Sequence, residues 1–589
     1  VKKSLLYLLL VGLLLGLAPL ATTSPALAKD TPAVGGADSG LKPVAVVSIA
    51  SYERIISDIA FIGKISQQPG LEKQAEGMLM ILAQGLAGLD KTRPWGVVVS
   101  TDGTNFPRVG FLPVSSAKEL LASLQAAVGP AEDAGDGNYV LEKNNLKIYV
   151  KEQNGWAFIS DSNDTLAGLP KDPIKWLDGL DKKYEIGVQF RISNVPEMFR
   201  SLAIDQMKEG IEAGLKQQPG EDDATFELRR KLVLSRTKVL DDIINDADQV
   251  TIGWGIDQQA KSTSLDISMT AKPNSELAKK VAASVPVPSS YNGFNVAKSA
   301  FTLGFSQTVT KDDIAQLGAT LDSLKVTALQ EIDKSHDLPD DGAKTAAKGI
   351  VVDLIEALRS IGADGKSDGG FSLLLGSKTL TGLGGLSLGN PMKVESALKK
   401  LSDQAAKDPN IPKIKFDAEK YGDVRFHTAK LPVPPNEDVA KVVGSTLDVA
   451  VGIGPKNVYF GFGTDVLGTI KKAIDKSKTD TSKPIAPGFA IVSAQPILEF
   501  ANVMEPNPLN QALAAELAKS PGKDHIQLLA SPITNGVSYH LEIQEAVLNL
   551  VGVGVKMNSG AGGGRQNGFG PPGGAPGPGG RPAPPQRVR

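Results

Sequence analysis

Apolar positions along the chain follow two periods. Alternating runs such as Leu146–Val150, Trp156-Ala-Phe158 and Ile252-Gly-Trp254-Gly-Ile256 put every second residue on one face, the period of a strand. Between them, Glu72–Leu86, Leu202–Gln217 and Val351–Ile361 carry apolar residues at helical spacing. Asn154-Gly155 and Asn535-Gly536 fit two-residue hairpin turns, so the strands should pair antiparallel. The pattern predicts an α+β fold, with helices packed on antiparallel sheets. Trp156 and Trp254 sit in alternating runs, where one face should meet the core.

The pattern also repeats. Val188–Leu202 (VQFRISNVPEMFRSL) and Gly488–Val503 (GFAIVSAQPILEFANV) both run from a strand through a Ser to a Pro and then into helical spacing. Asn194 and Glu197 fit a capping box in the first copy. Trp156–Leu166 matches Val458–Leu467, Val109–Leu124 matches Gly384–Leu401, and Leu265-Asp266-Ile267 matches Leu541-Glu542-Ile543. Glu142-Lys143 before LKIYV matches Glu419-Lys420 before VRFHT, which sets Tyr149 against His427. His525 likewise falls against Gln249, His540 against Ser264, and Ser387 against Leu112.

The shared order predicts two tandem copies of an antiparallel-sheet-plus-helices unit, residues 41–288 and 291–557, linked through Val285–Ser290. Independent units would be cut by protease first in the tail and then near 285–292. The recurring strand–Ser/Asn–helix unit resembles large, uncharacterised exported bacterial α+β repeat proteins of the domain-of-unknown-function type. That resemblance implies a fold and an export route, and no activity.

The ends have a different character. Lys2 and Lys3, the apolar run Leu5–Ala18, Pro19 and the small-residue site Ala26-Leu27-Ala28 predict a signal peptide over residues 1–28. Residues 29–40 read as a flexible lead. In residues 558–589, 18 of 32 are Gly or Pro and none is acidic, which predicts a disordered tail. Arg565, Arg581, Arg587 and Arg589 make that tail basic, able to touch an anionic envelope polymer weakly. The expected location is periplasmic or extracellular. Ala546–Val555 is too short for a span, so no transmembrane segment is expected once the signal peptide is removed.

Composition removes several chemistries. There is no cysteine, so disulfides, thiolate metal sites and cysteine nucleophiles are excluded. A net charge of -2 argues against nucleic acid as a bulk electrostatic partner.

Gly385-Leu-Ser387-Leu-Gly389 matches the serine-hydrolase G-x-S-x-G, but Ser387 lies in an alternating strand pattern rather than on a sharp strand-to-helix turn. His336, His427, His525 and His540 show no metal-ligand spacing, so neither a metal nor a cofactor is expected. Gly365-Lys366-Ser367 lacks the first glycine of a phosphate loop. Asp364–Gly369 fails the ligand count of a calcium loop. Gly461-Phe-Gly463 with Gly468 is off the dinucleotide spacing and reads as a capped turn.

The expected function is therefore non-enzymatic: an exported binding or cell-envelope scaffold module. One alternative is an exported serine hydrolase using Ser387 with a histidine such as His540. Another is a carrier of an apolar ligand held between sheet and helices.

Overall fold

The computed structural model describes residues 40–560, apart from 144–145, much of 218–240, and 242, 284–285, 336–337, 339, 407–410, 435–436, 481 and 483–485. The expected signal peptide, most of the 29–40 lead, His336 and nearly all of the tail lie outside the described residues.

The fold is mixed: helices and antiparallel strands, as the two periods predict. The first ten strands are β1 (Lys42–Ile49), β2 (Trp95–Thr101), β3 (Arg108–Pro113), β4 (Ala131–Gly135), β5 (Asn138–Lys143), β6 (Leu146–Gln153), β7 (Trp156–Ser160), β8 (Ile186–Arg191), β9 (Ala247–Asp257) and β10 (Ser262–Ala271). The next ten are β11 (Phe301–Thr308), β12 (Lys366–Gly376), β13 (Thr379–Ser387), β14 (Ile414–Tyr421), β15 (Val424–Pro432), β16 (Thr446–Ile453), β17 (Asn457–Gly463), β18 (Gly488–Ser493), β19 (His525–Ile533) and β20 (Gly536–Gln544).

Among the described residues, the longer helices before β11 are α1 (Tyr52–Ile65), α2 (Leu71–Ala83), α3 (Ala117–Val128), α4 (Glu197–Gly214) and α5 (Glu276–Ala283). Those after it are α6 (Lys311–Lys334), α7 (Asp341–Arg359), α8 (Met392–Ala405), α9 (Val466–Thr479), α10 (Ala494–Met504), α11 (Pro508–Leu517) and α12 (Glu545–Gly560). Side-chain caps fix several starts: Ser51 caps α1, and Thr310 with Asp313 closes a capping box on α6. The box expected at Asn194 is absent, because Asn194 instead donates to the Pro43 carbonyl at 2.7 Å.

Among the described residues, all twenty strands join one antiparallel sheet. From one margin the order is β4-β5-β6-β7-β3-β2-β1-β8-β9-β10. From the other margin it is β14-β15-β16-β17-β13-β12-β11-β18-β19-β20, the same order shifted by ten. The runs meet where β10 pairs with β20 from Ser262–Gln544 to Thr270–Gly536. By position β15 answers β5, not β6, so the alignment of His427 with Tyr149 is one strand out of step. The error has a simple source: successive strands of a meander carry nearly the same alternation. Short, charged β4 and bulged β14 form the two margins, which discourages edge-to-edge pairing.

The segment joining the runs is not an exposed link. Pro286 bridges to Gln307, and the Val287 N–H donates to the Ser306 carbonyl at 3.2 Å. Asp368, fully buried, accepts from Ser289 Oγ at 2.7 Å, from the Ser290 N–H at 2.8 Å and from Lys366 Nζ at 2.8 Å. The Asp364–Gly369 stretch is thus a structural clamp on the connection.

Candidate functional site

Cross-strand registers define the most unusual surface of the molecule. One row across the sheet reads Val97, Val47, Val188, Ile252, Ile267, Tyr539. A second reads Ile49, Ile186, Trp254, Leu265, Leu541, Leu528. A third reads Ala45, Phe190, Val250, Met269, Val537, Pro532. Directly paired residues share a face, so these rows form one apolar floor without a charged side chain. The floor runs from β2 to β19, roughly 29 Å wide, and its three rows span about 14 Å along the strands.

The floor is open. Val97, Ile186, Phe190, Ile252, Trp254, Leu265, Ile267 and Leu528 each remain between 37% and 44% exposed. An area on the order of 400 Å² is at the scale where exposed apolar surface marks a binding site. Trp254, expected to face the core, stands in this floor with its Nε1–H donating to Thr263 Oγ1 at 2.9 Å. Alternation identifies the face a residue occupies, but not whether anything covers that face.

Helices bound the floor on the same face. On one side α3 packs Leu120 and Leu121 over Leu141, Val150 and Ala157. Farther along the same face, beyond β18, β11, β12 and β13, Ala357 of α7 packs with Val458 of β17 and Ile453 of β16. At the strand ends, Leu277 and Val281 of α5 close over Ala271 and Met269. A helix layer stands about 10 Å above a sheet, so the floor is recessed beside α3 and α5.

Directly behind the floor, on the opposite face of the same strands, lies a polar cluster. Asp266 and His540 are cross-strand partners on β10 and β20. Asp266 Oδ1 lies 2.6 Å from His540 Nδ1, and Asp266 Oδ2 accepts from the Tyr184 hydroxyl at 2.9 Å and from Lys183 Nζ at 2.8 Å. Burial pushes the Asp266 carboxyl up, but the hydrogen bonds from Lys183, His540 and Tyr184 together hold it below the ordinary carboxylate range. Burial leads the causes that raise the Tyr184 hydroxyl.

The Tyr184 ring lies flat against Gly253; a Cβ there would come within 2.4 Å of it, so only glycine fits. An Asp–His pair can orient an imidazole for base chemistry, but acyl transfer also needs a nucleophile in reach. The cluster pins the seam between the two runs.

Ser387 does not meet His540. It lies on β13, five strand steps from β20, about 24 Å along the sheet. Its Oγ sits 3.2 Å from the Tyr291 hydroxyl. Gly385 makes room for the Tyr291 ring, which a Cβ would meet at 2.5 Å. His525 Nδ1 lies 3.2 Å from Gln544 Oε1, and His427 is buried beneath α8.

Among the described residues there is no group of three potential metal ligands and no helix long and apolar enough to cross a membrane. A cavity of about 160 Å³ touches Tyr291, Asn292, Lys476, Asp480, Ser482 and Phe489. It would take about five waters, and is smaller than most ligand pockets.

Neither a protein-family model, nor a curated protein, nor a solved structure matches the chain.

Proposed function

We propose that the protein is an exported, non-enzymatic carrier whose floor takes a hydrocarbon chain, such as the acyl chain of an amphiphile. One observation carries this reading: two aligned rows of apolar side chains, with Phe190 of the third, remain open in the centre of the sheet, while Val537 and Met269 of the third row are covered at the α5 end. Burying such side chains on a ligand is worth roughly 25 cal/mol per Å². The recess favours a slim ligand over a second flat sheet, since the helices at its side and at its strand ends would hold another fold away. The signal-peptide pattern of residues 1–28 supports export. The common strand order of the two runs, with the aligned segments around Pro196 and Pro496, supports reading them as copies of one unit.

Trp254 supplies the test. A fatty acid brominated along its chain should quench tryptophan emission saturably, and Trp254→Phe should remove most of that quenching. Ile267→Asp puts a charge in the middle of the floor and should weaken binding about tenfold or more. Saturable quenching that survives both substitutions would place the ligand elsewhere. Absence of quenching up to the solubility limit of the probe would end the carrier reading.

A further inference from the structure

His427 lies on β15, second from the sheet margin, and is 2% exposed. Its Nδ1 accepts the backbone N–H of Asp417 at 3.0 Å. The neutral ring therefore carries its proton on Nε2, which is buried without a partner among the described residues. The β14–β15 register shifts between Lys415 and Glu419, and Asp417 adopts φ 46° within that bulge. The imidazole nitrogen thus stands in for the main-chain acceptor that the bulge takes away.

We propose that His427 is an acid-sensitive latch on this margin of the sheet. Protonation turns Nδ1 from acceptor to donor, sets two N–H groups against each other, and releases the bulge from β15. The charged groups around the ring are Glu395 and Lys399 on α8, Arg425 on β15 and Asp417 on β14; its partner on β16 is the uncharged Val451. Burial comes first and lowers the basicity of the ring, Arg425 and Lys399 add to it, and Glu395 with Asp417 oppose. The balance keeps the ring below the ordinary imidazole value. Because the folded value is depressed, the latch holds fully above that ordinary value and weakens as pH falls. Each pH unit below about 6.5 favours opening about tenfold more, until the folded value is reached.

Release is local. Glu419 pairs with Lys471 and Tyr421 with Asp475, which tie the far end of β14 to α9. The bulge and the residues before it, 414–418, are what open.

Amide exchange at about pH 7.5 and about pH 5.5, corrected for intrinsic rates, reads this directly in the full chain. Protection over 414–418 should fall, by up to about tenfold, while the opposite margin over 131–135 should not change. His427→Asn keeps an acceptor near the position of Nδ1 and cannot titrate there, so its protection should stay flat; His427→Gln serves if that variant fails to fold. Asp417→Asn removes the neighbouring carboxylate and should retain the fall. An unchanged wild type, an equal fall at both margins, or the same fall in the untitratable variant would overturn the latch.

Discussion

The two ten-strand runs have one order and opposite fillings. On the floor face, Val97 of β2 is 38% exposed, whereas Phe371 of its positional counterpart β12 is 8% exposed. On the reverse face the contrast is chemical. Val46 and Val98 of the first run are buried with Leu177 and Leu180. Ser48, Gln189 and Thr251 are buried polar groups beside them, whereas the same neighbourhood of the second run holds Thr302, Ser306, Ser372 and the buried carboxylate of Asp368. The second run's polar groups serve the connection: Ser372 Oγ donates to the Phe294 carbonyl at 2.5 Å, and Asp368 holds Ser289.

The helical walls differ too. α7 buries Val351, Ile355 and Ala357, while α2 leaves Met78, Met80 and Ile81 at 62%, 63% and 84% exposed. Strand order sets which strands are neighbours. The connecting segments decide which face closes, and an open face is where a ligand can enter.

The largest effect should come from cutting the clamp that holds the connection between the runs. Asp368→Ala leaves Lys366, Ser289 and the Ser290 N–H without their buried acceptor, a loss of about 3 kcal/mol or more. Urea unfolding should show it as a lower midpoint. Limited proteolysis adds an independent readout: the wild type should resist cutting over 286–294, where Ser289, Tyr291 and Phe294 are buried, and the variant should be cut there. Ready cleavage of the wild type at this segment would dissolve the contrast between the runs.

A smaller and more symmetrical effect belongs to two glycines. Gly253 lies under the Tyr184 ring in the first run, and Gly385 under the Tyr291 ring in the second. A methyl group at either position must displace an aromatic ring from closer than contact distance, which costs about 1–3 kcal/mol. Gly385→Ala strikes a ring packed in the core with Phe294 and Tyr459 and should be destabilising only. Gly253→Ala shifts a ring whose hydroxyl holds Asp266, so it should also loosen the seam, raising amide exchange on β10 and β20. Equal exchange profiles in the two variants would show that the Tyr184–Asp266 bond does not stiffen the seam.

These features were unequally legible in the sequence. The hairpin at Asn154-Gly155 formed with positive φ at both turn residues, a local demand that local residues meet. The α+β class followed from periodicity for the same reason. The second hairpin formed one residue earlier than expected: its turn is Thr534-Asn535, with positive φ at Asn535, and Gly536 already pairs with Ile533. The floor was not legible as an open surface: Ile252, Trp254, Leu265 and Ile267 have the alternation of any core strand. The polar cluster was hidden by distance, since Asp266 and His540 are 274 positions apart and meet only through β10–β20 pairing. Helix α4 shows the converse, since its apolar spacing suggested a packed helix, yet Ile204 is its only buried residue.

The smallest expected effect is a coincidence of curves. All four tryptophans, Trp95, Trp156, Trp176 and Trp254, lie in the first run, so their emission reports that run, while circular dichroism reports both. Independent units would give two midpoints. The structure argues for one. β10 and β20 pair over nine positions in the middle of the sheet, and Asp266 bonds to His540 across that seam. The last described helix also returns to the first run: Gly552 of α12 packs against the carbonyl of Ser66 at the end of α1, so closely that a Cβ would overlap it. Unfolding either run therefore uncovers apolar and polar groups of the other, which couples the two transitions. Urea titrations of the full chain followed by emission and by circular dichroism should superimpose, with equal midpoints and slopes. A separation of the two curves would mean that the seam and the returning helix are too weak to join the runs. Expression of residues 291–557 alone discriminates further, because that fragment lacks β10 and α1 and should not show a cooperative thermal transition of its own.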